Sequence, residues 1–290
     1  MRVALTRIAV GIAWMLHFLP LRMLARIGEA AGSALYVLGK ERRNVCLINL
    51  AQCFPEMPAA ERTALAKAHF QAFGRSVLER SILWWAPEDR VKRLVRTVGL
   101  ERLNALRGKP LILLAPHFVG LDAGCTRLTC EIDMAGIYSK QKNPLFNQLL
   151  LSGRTRFGHQ RAISRQEGIR PALAALKEGI PFYYLPDQDY GPRDAIFVPF
   201  FAASAATITG LSRLTRITGA RVLPCVTRVL PGGAGYEITC YPACAMRAER
   251  GAAGFVAIVA SLLAATFSGA GSGDDAREEV RSAGHFPGAT

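Results

Sequence analysis

Apolar residues change their period twice along this chain. Near the N-terminus, Ile8 to Leu21 is an apolar stretch edged by Arg2 and Arg7 on one side and by Arg22 and Arg26 on the other. A second stretch, Ala30 to Gly39, ends at Lys40, Arg42 and Arg43. From Ala59, behind Pro55 and Pro58, the apolar positions Leu65, Ala68, Ala72, Phe73 and Val77 recur at helical spacing and predict an amphipathic helix. From Lys109 short apolar runs alternate with helical stretches. "PLILLAP", "DMAGIYS", "RAIS", "PFYYLPD", "ARVLPCVTRV" and "GYEITCYP" read as strands, with Pro224 expected to end its own. "GLDAGCTRLTC", "PLFNQLLLSGRTRFG", "GIRPALAALKEG" (closed by Gly179) and "AATITGLSRLTRITG" read as helices. This alternation predicts an α/β fold with a mostly parallel central sheet flanked by helices. Loops leaving the C-terminal ends of such strands are where sites form, and His117 and Asp187 both follow strands in that way.

The N-terminal stretches read as a hydrophobic membrane-anchor helix. Ile8 to Leu21 falls short of the roughly 20 apolar residues of a full span and is interrupted by His17 and Pro20. It can tilt across the bilayer with Arg7 and Arg22 snorkelling, or lie in the interface as a basic amphipathic anchor. A buried helix of a soluble domain is the alternative, but basic flanks suit an anionic cytoplasmic leaflet better. No small-residue cleavage site follows, which argues against a removed signal peptide. Trp84 and Trp85 serve equally well as interface anchors or core residues. The expected organisation is an anchor over residues 1–43, a catalytic domain over 44–250 and a tail over 251–290. That tail is Ala/Gly-rich and uncharged from Gly251 to Gly273, a composition that suits a membrane-seeking or buried helix, a disordered end or a shifted reading frame.

Composition narrows the partners. The chain has 290 residues, half of them hydrophobic, and a formal charge of +14, so its partners are expected to be anionic. Its basic residues are scattered and no zinc-finger or RNA-binding signature accompanies them, which sets nucleic acid aside in favour of anionic lipid, a phosphorylated substrate or an acidic carrier protein. The seven cysteines show no CxxC spacing, which argues against a disulfide framework or a zinc site and for reduced thiols.

Three segments carry candidate chemistry. "PHFVGLD" places His117 and Asp122 five positions apart at the end of a buried strand. A histidine acts as a general base at neutral pH when an acceptor holds its tautomer. An offset near one helical turn can bring Asp122 back beside the imidazole, although HxxxxD alone is a weak signal. "YYLPDQDYGPRDAIFVPFF" clusters Asp187, Gln188, Asp189 and Tyr190 behind another strand, the mark of a turn or a site. "KNPLFNQLLLSGRTRFG" supplies Lys142, Arg154 and Arg156, which can hold a phosphate or a developing oxyanion or simply form a solvated basic face.

Taken in order, "APHFVGLDAG", "KNPLFNQLLLSGRTRFG", "PDQDYGPRDAIFVPFFAASAATITG" and "TGARVLPCVTRV" resemble the bacterial lipid A late acyltransferases, the lauroyl/myristoyl transferase family of the lysophospholipid acyltransferase superfamily. "RRNVCLINLAQCFPE" resembles that family's N-terminal signature. The resemblance runs to about residue 245; the tail departs from it. It implies a glycerolipid-acyltransferase-like fold and an enzyme at the cytoplasmic face of the inner membrane, in contact with its anionic lipids. The activity implied is transfer of a laurate- or myristate-class chain from acyl carrier protein to a hydroxyl of a hydroxyacyl chain on a lipid A precursor. The family's HxxxxD/E block matches His117 and Asp122, its essential arginine Arg154, and its later acid Asp187 or Asp189. Lys142, Asn143, Arg156, Gln188, Tyr190 and Arg193 are then expected to bind substrate. No metal or cofactor is expected, acyl carrier protein being a co-substrate. His117 would act as base without an acyl-enzyme, with Asp122, Asp187 and Asp189 all open as its partner. Another glycerolipid or glycolipid acyltransferase, a non-catalytic lipid-binding membrane protein and a thioesterase-like hydrolase are the alternatives.

Overall fold

Four helices open the computed structural model, which describes residues 2–188 and 195–244: α1 (Arg2–Leu16), α2 (Leu21–Leu38), α3 (Lys40–Cys53) and α4 (Ala59–Trp85). Pro20 and Pro58 stand immediately before α2 and α4, where proline's fixed φ suits helix entry, and Gly39 separates α2 from α3. Among the described residues no helix is long and apolar enough to cross a membrane. This helical region nevertheless leaves Ile8, Ile12, Trp14, Met15, Phe18, Met23 and Ile27 exposed.

The chain then alternates through α5 (Glu88–Leu94), β1 (Val95–Val98), α6 (Leu100–Asn104), β2 (Leu111–Leu114), α7 (Leu121–Thr129), β3 (Ala135–Tyr138), α8 (Pro144–Arg154) and β4 (Arg161–Ser164). It closes with α9 (Arg170–Lys177), β5 (Phe182–Tyr184), β6 (Ala195–Phe200), β7 (Ala203–Ile208), α10 (Gly210–Thr218), β8 (Arg221–Val229) and β9 (Tyr236–Cys240). This is a mixed α/β fold with a mostly parallel central sheet flanked by helices, as the alternation predicts.

Two compact units share the chain. The first comprises Met1–Val98, Phe118–Pro171 and Thr227–Thr239; the second comprises Gly99–His117, Ala172–Val226 and the described residues from Cys240. In the first, α2 and α4 cross almost backbone to backbone because glycines meet there. A Cβ on Gly28 would lie 2.6 Å from Arg75 Cα, one on Gly32 2.7 Å from Gln71 Cα, and one on Gly74 2.7 Å from Gly32 N. Beside this crossing Arg75 and Glu79 are buried, with 4 % and 1 % of their side chains exposed. Arg75 Nε donates to Glu79 Oε1 at 3.1 Å, and the buried Tyr236 hydroxyl donates to the other carboxylate oxygen. Burial pushes the Glu79 carboxyl above its ordinary value, and the Tyr236 hydrogen bond and the Arg75 charge only partly offset it. Strand β9 runs parallel to β1, with Val95 opposite Tyr236, while β3 and β4 form a second parallel pair.

In the second unit β2 lies between β5 and β8 and is parallel to both. All four of its residues are buried, as a strand covered on both faces requires. Pro224 does not end its strand: β8 continues to Val229, with Pro224 opposite Leu114. Proline lacks only the N–H, and the Pro224 carbonyl still accepts from Tyr241 N at 2.9 Å. The helix expected from Ala205 starts at Gly210, because Ala203–Ile208 is β7, paired antiparallel with β6. β-Branched Thr207 and Ile208 favour that extended form once β6 supplies the pairing.

Replacing Tyr236 with Phe removes the donor to a buried carboxylate and is expected to cost about 1–3 kcal/mol of stability. A raised folded-state pKa means that the folded chain holds the proton longer, so the contribution of Glu79 to stability falls as pH rises above its ordinary 4.5. Because the Tyr236 bond lowers that pKa, Tyr236→Phe is expected to depress the melting temperature more at neutral pH than near pH 4, which thermal unfolding at the two pH values measures.

Candidate active site

His117 and Asp187 are brought together by strand register. Leu114, the last residue of β2, lies opposite Tyr184, the last of β5, and Ala115 N–H donates to Tyr184 O at 3.0 Å. Each chain then runs through a proline, Pro116 or Pro186, which cannot donate and so helps end the ladder. Three positions beyond the matched pair come His117 and Asp187. The Asp187 carboxylate grips both parts of the histidine: Oδ2 accepts the His117 backbone N–H at 2.6 Å and Oδ1 accepts from Nδ1, also at 2.6 Å. This network makes Nδ1 the protonated ring nitrogen and leaves Nε2 as the acceptor. The Gln188 side-chain amide donates to Nε2 at 3.1 Å. With 36 % of its side chain exposed, His117 can meet a substrate, and the Nε2 lone pair that accepts from Gln188 is suited to taking a proton once a substrate hydroxyl replaces that amide.

Asp122 sits in the first turn of α7. Gly120 and Gly124 let the start of this helix approach Thr227 and Ile238: a Cβ on Gly120 would lie 2.8 Å from Thr227 Cγ2, and one on Gly124 3.0 Å from Ile238 Cδ1 of β9. The Asp122 carboxylate pairs with two arginines. Arg80 of α4 donates to Oδ2, and Arg154 Nη2 at the end of α8 lies 3.4 Å from Oδ1. Burial alone would raise this carboxyl, but the charges and hydrogen bonds of Arg80 and Arg154 outweigh it and hold the pKa below the ordinary value. Asp122 is therefore ionised at neutral pH. Gly153 helps position Arg154, since it packs directly against the Trp84 ring where a Cβ would not fit. Burial pushes the Cys125 thiol, one turn along α7, up to about 12, so it stays protonated at neutral pH and is a poor nucleophile.

The remaining candidates divide. Asn143 caps α8, its Oδ1 accepting from Phe146 N at 3.2 Å while Nδ2 donates to Thr6 Oγ1. Arg156 donates to the carbonyls of Leu83 at 2.8 Å and Ala86 at 2.5 Å, closing the C-terminal end of α4. Lys142 is exposed immediately before the Asn143 cap. Asp189, Tyr190 and Arg193 lie outside the described residues. Sequence reasoning missed Arg80, on a helix to which it assigned no chemistry; the available signal was a cation flanked by Glu79 and Ser81, both buried in the structure. Among the described residues no group of three or more His, Cys, Asp or Glu converges to hold a metal ion.

A protein-family model described as "Bacterial lipid A biosynthesis acyltransferase" matches residues 1–265, reaching past Gly251 into the stretch set apart as a tail. Lipid A biosynthesis lauroyltransferase of Escherichia coli (strain K12) is 32 % identical over 241 residues, covering 82 % of this chain and 78 % of that protein. Lipid A biosynthesis myristoyltransferase of the same strain is 35 % identical over 205 residues, which are 70 % of this chain and 62 % of that protein. Its lipid A biosynthesis palmitoleoyltransferase is 29 % identical over 222 residues, or 76 % and 72 % of the two chains. Both the family match and these long alignments establish that the chain belongs to the bacterial lipid A biosynthesis acyltransferase family.

Proposed function

We propose that this protein transfers a fatty acyl chain of the laurate or myristate class from acyl carrier protein to a hydroxyl of a hydroxyacyl chain on a lipid A precursor. The two-point grip of Asp187 on His117 carries the mechanism, because it supplies an imidazole of fixed tautomer whose Nε2 carries the basic lone pair. Gln188 occupies that nitrogen in the structure, and the acceptor hydroxyl takes its place when substrate binds. His117 Nε2 removes the hydroxyl proton as the oxygen attacks the thioester carbonyl carbon. Asp187 stabilises the imidazolium that forms. Collapse of the tetrahedral intermediate forms the ester and breaks the carbon–sulfur bond, and the departing thiolate recovers the proton from His117. Arg154 serves as a donor to the oxyanion, backbone amides being the other source. No acyl-enzyme is needed, which suits the protonated state of Cys125.

The charge of +14 favours both an acidic carrier protein and a phosphorylated acceptor. Ile8, Met15 and Phe18 are 59 %, 66 % and 62 % exposed, and Arg7, Arg22 and Arg26 lie in the same segment. These features support an interfacial anchor at the cytoplasmic face of the inner membrane, with apolar side chains in the headgroup boundary and arginines on anionic lipids. Replacing Met15 and Phe18 with Asp is expected to shift the protein out of the bound fraction when floated with anionic vesicles; unchanged flotation would remove the anchor.

The enzymatic test uses purified protein, lauroyl- or myristoyl-carrier protein and a lipid A precursor, with the product identified by mass. His117→Ala is expected to lower the rate about 10²–10⁴-fold. Asp187→Asn, which replaces a carboxylate gripping the ring, is expected to cost on the order of 10²-fold while leaving thermal unfolding nearly unchanged. Transfer that survives His117→Ala would sink the mechanism. Free fatty acid without transfer by the wild type would make the chain a hydrolase, and transfer to a glycerolipid alone would reassign its acceptor.

A further inference from the structure

We propose that Arg80 is a positioning residue for acyl transfer, holding Asp122 so that Arg154 keeps most of its guanidinium free for the reacting anion. This rests on the role given to Arg154 above. The Asp122 carboxylate is divided unequally between two arginines. Arg80 makes the close contact to Oδ2, whereas Arg154 reaches Oδ1 at 3.4 Å, near the limit of a hydrogen bond. Arg154 also keeps 37 % of its side chain exposed, against 28 % for Arg80. An arginine has five N–H donors, so one long bond fixes its direction without consuming its capacity.

Arg80 itself is built into place. Its guanidinium lies 5.9 Å from the Trp84 ring centroid on the same helix, and its Nε is buried with no hydrogen-bond partner among the described residues. A buried guanidinium nitrogen left without an acceptor is unfavourable, so the side chain is held for what its other end does. That end neutralises Asp122. Without Arg80 the carboxylate has two outcomes, both harmful. It can draw Arg154 into a close bidentate pair and withdraw the donors, or it can take up a proton and release Arg154 altogether. Burial, the largest single influence on this carboxyl, favours the second outcome. The titratable and charged groups facing Asp122 are Arg80 from α4, Arg154 from α8 and Cys125 from α7 itself, and Tyr236 of β9 lies within electrostatic reach of Arg80. Removal of Arg80 therefore shifts the protonation of Asp122 toward higher pH.

Arg80→Ala is expected to lower kcat about 10-fold to 10²-fold with KM changed less than threefold, and to move the acid limb of the kcat profile to higher pH. Arg80→Lys, which keeps the charge, should recover most of the rate at neutral pH. A merely structural role would instead lower activity in proportion to the folded fraction, with no change in the pH profile and no rescue by Lys. Either that pattern or unchanged kcat in Arg80→Ala would overturn the inference. A readout independent of activity is a thermal-unfolding cycle. The stability coupling between Asp122→Asn and Arg154→Ala should change when both are repeated in the Arg80→Ala background, and an unchanged coupling would also overturn it. If the wild type transfers no acyl chain while the coupling does change, the failure lies in the proposed function and not in the grip of Arg80.

Discussion

Parallel pairing of β2 with β5 sets Leu114 opposite Tyr184, and the same offset of three residues then delivers a histidine and an aspartate to one place. Register is what makes this possible. A slip of one residue would turn every β2 side chain to the other face and carry His117 away from its partner. The strand is buried throughout, so its hydrophobic neighbours oppose such a slip. Two prolines then finish the work by ending the ladder where backbone donors are wanted elsewhere. One of those freed donors, the His117 N–H, goes to Asp187. The catalytic proposal thus depends on backbone pairing more than on contacts among polar side chains.

The first unit solves a different problem, the burial of charge. Arg75 and Glu79 lie beside the contact where glycines let α2 and α4 touch, and Tyr236 completes the set. One residue further along α4, Arg80 turns to Asp122. Adjacent residues of a single helix therefore serve two ion-paired clusters, and a shift of α4 would disturb both. Gly120, Gly124 and Gly153 act in the same direction, each removing a side chain where α7 or α8 must come close to its neighbour. Close packing here positions charge, because a guanidinium placed an ångström away no longer meets the carboxylate it neutralises.

Much of this was legible in the sequence. The strand–helix alternation gives the fold class because each run of apolar residues is short and bounded by prolines, glycines or charges. His117 and Asp187 stand out because both follow such runs. The helix expected from Ala205 was misplaced because "AATITG" has no charges to mark a face, so its pairing with β6 is a tertiary fact. Pro224 misled because proline usually breaks strands, whereas its carbonyl still pairs. Asn143 and Arg156 have the composition of anion binders, yet a cap and a helix end use their donors and acceptors. Arg80 escaped notice because its importance lies in its partner, 42 positions away.

The two carboxylates settle into distinct chemical roles once their lone pairs are counted. An aspartate that orients an imidazole must accept from Nδ1, and it gains by accepting a second donor that fixes its own plane. Asp187 does both. Asp122 has its oxygens turned to two guanidiniums, whose positive charge makes the carboxylate a weaker acceptor for any further donor. Such a carboxylate is suited to holding cations in place. The five-residue spacing in "PHFVGLD" therefore joins two arrangements on one stretch of chain: a histidine held by Asp187 at the end of β2 and a carboxylate paired with two arginines in the first turn of α7. Spacing alone suggests a His–Asp pair. The hydrogen bonds pair His117 with Asp187, and they leave Asp122 to Arg80 and Arg154.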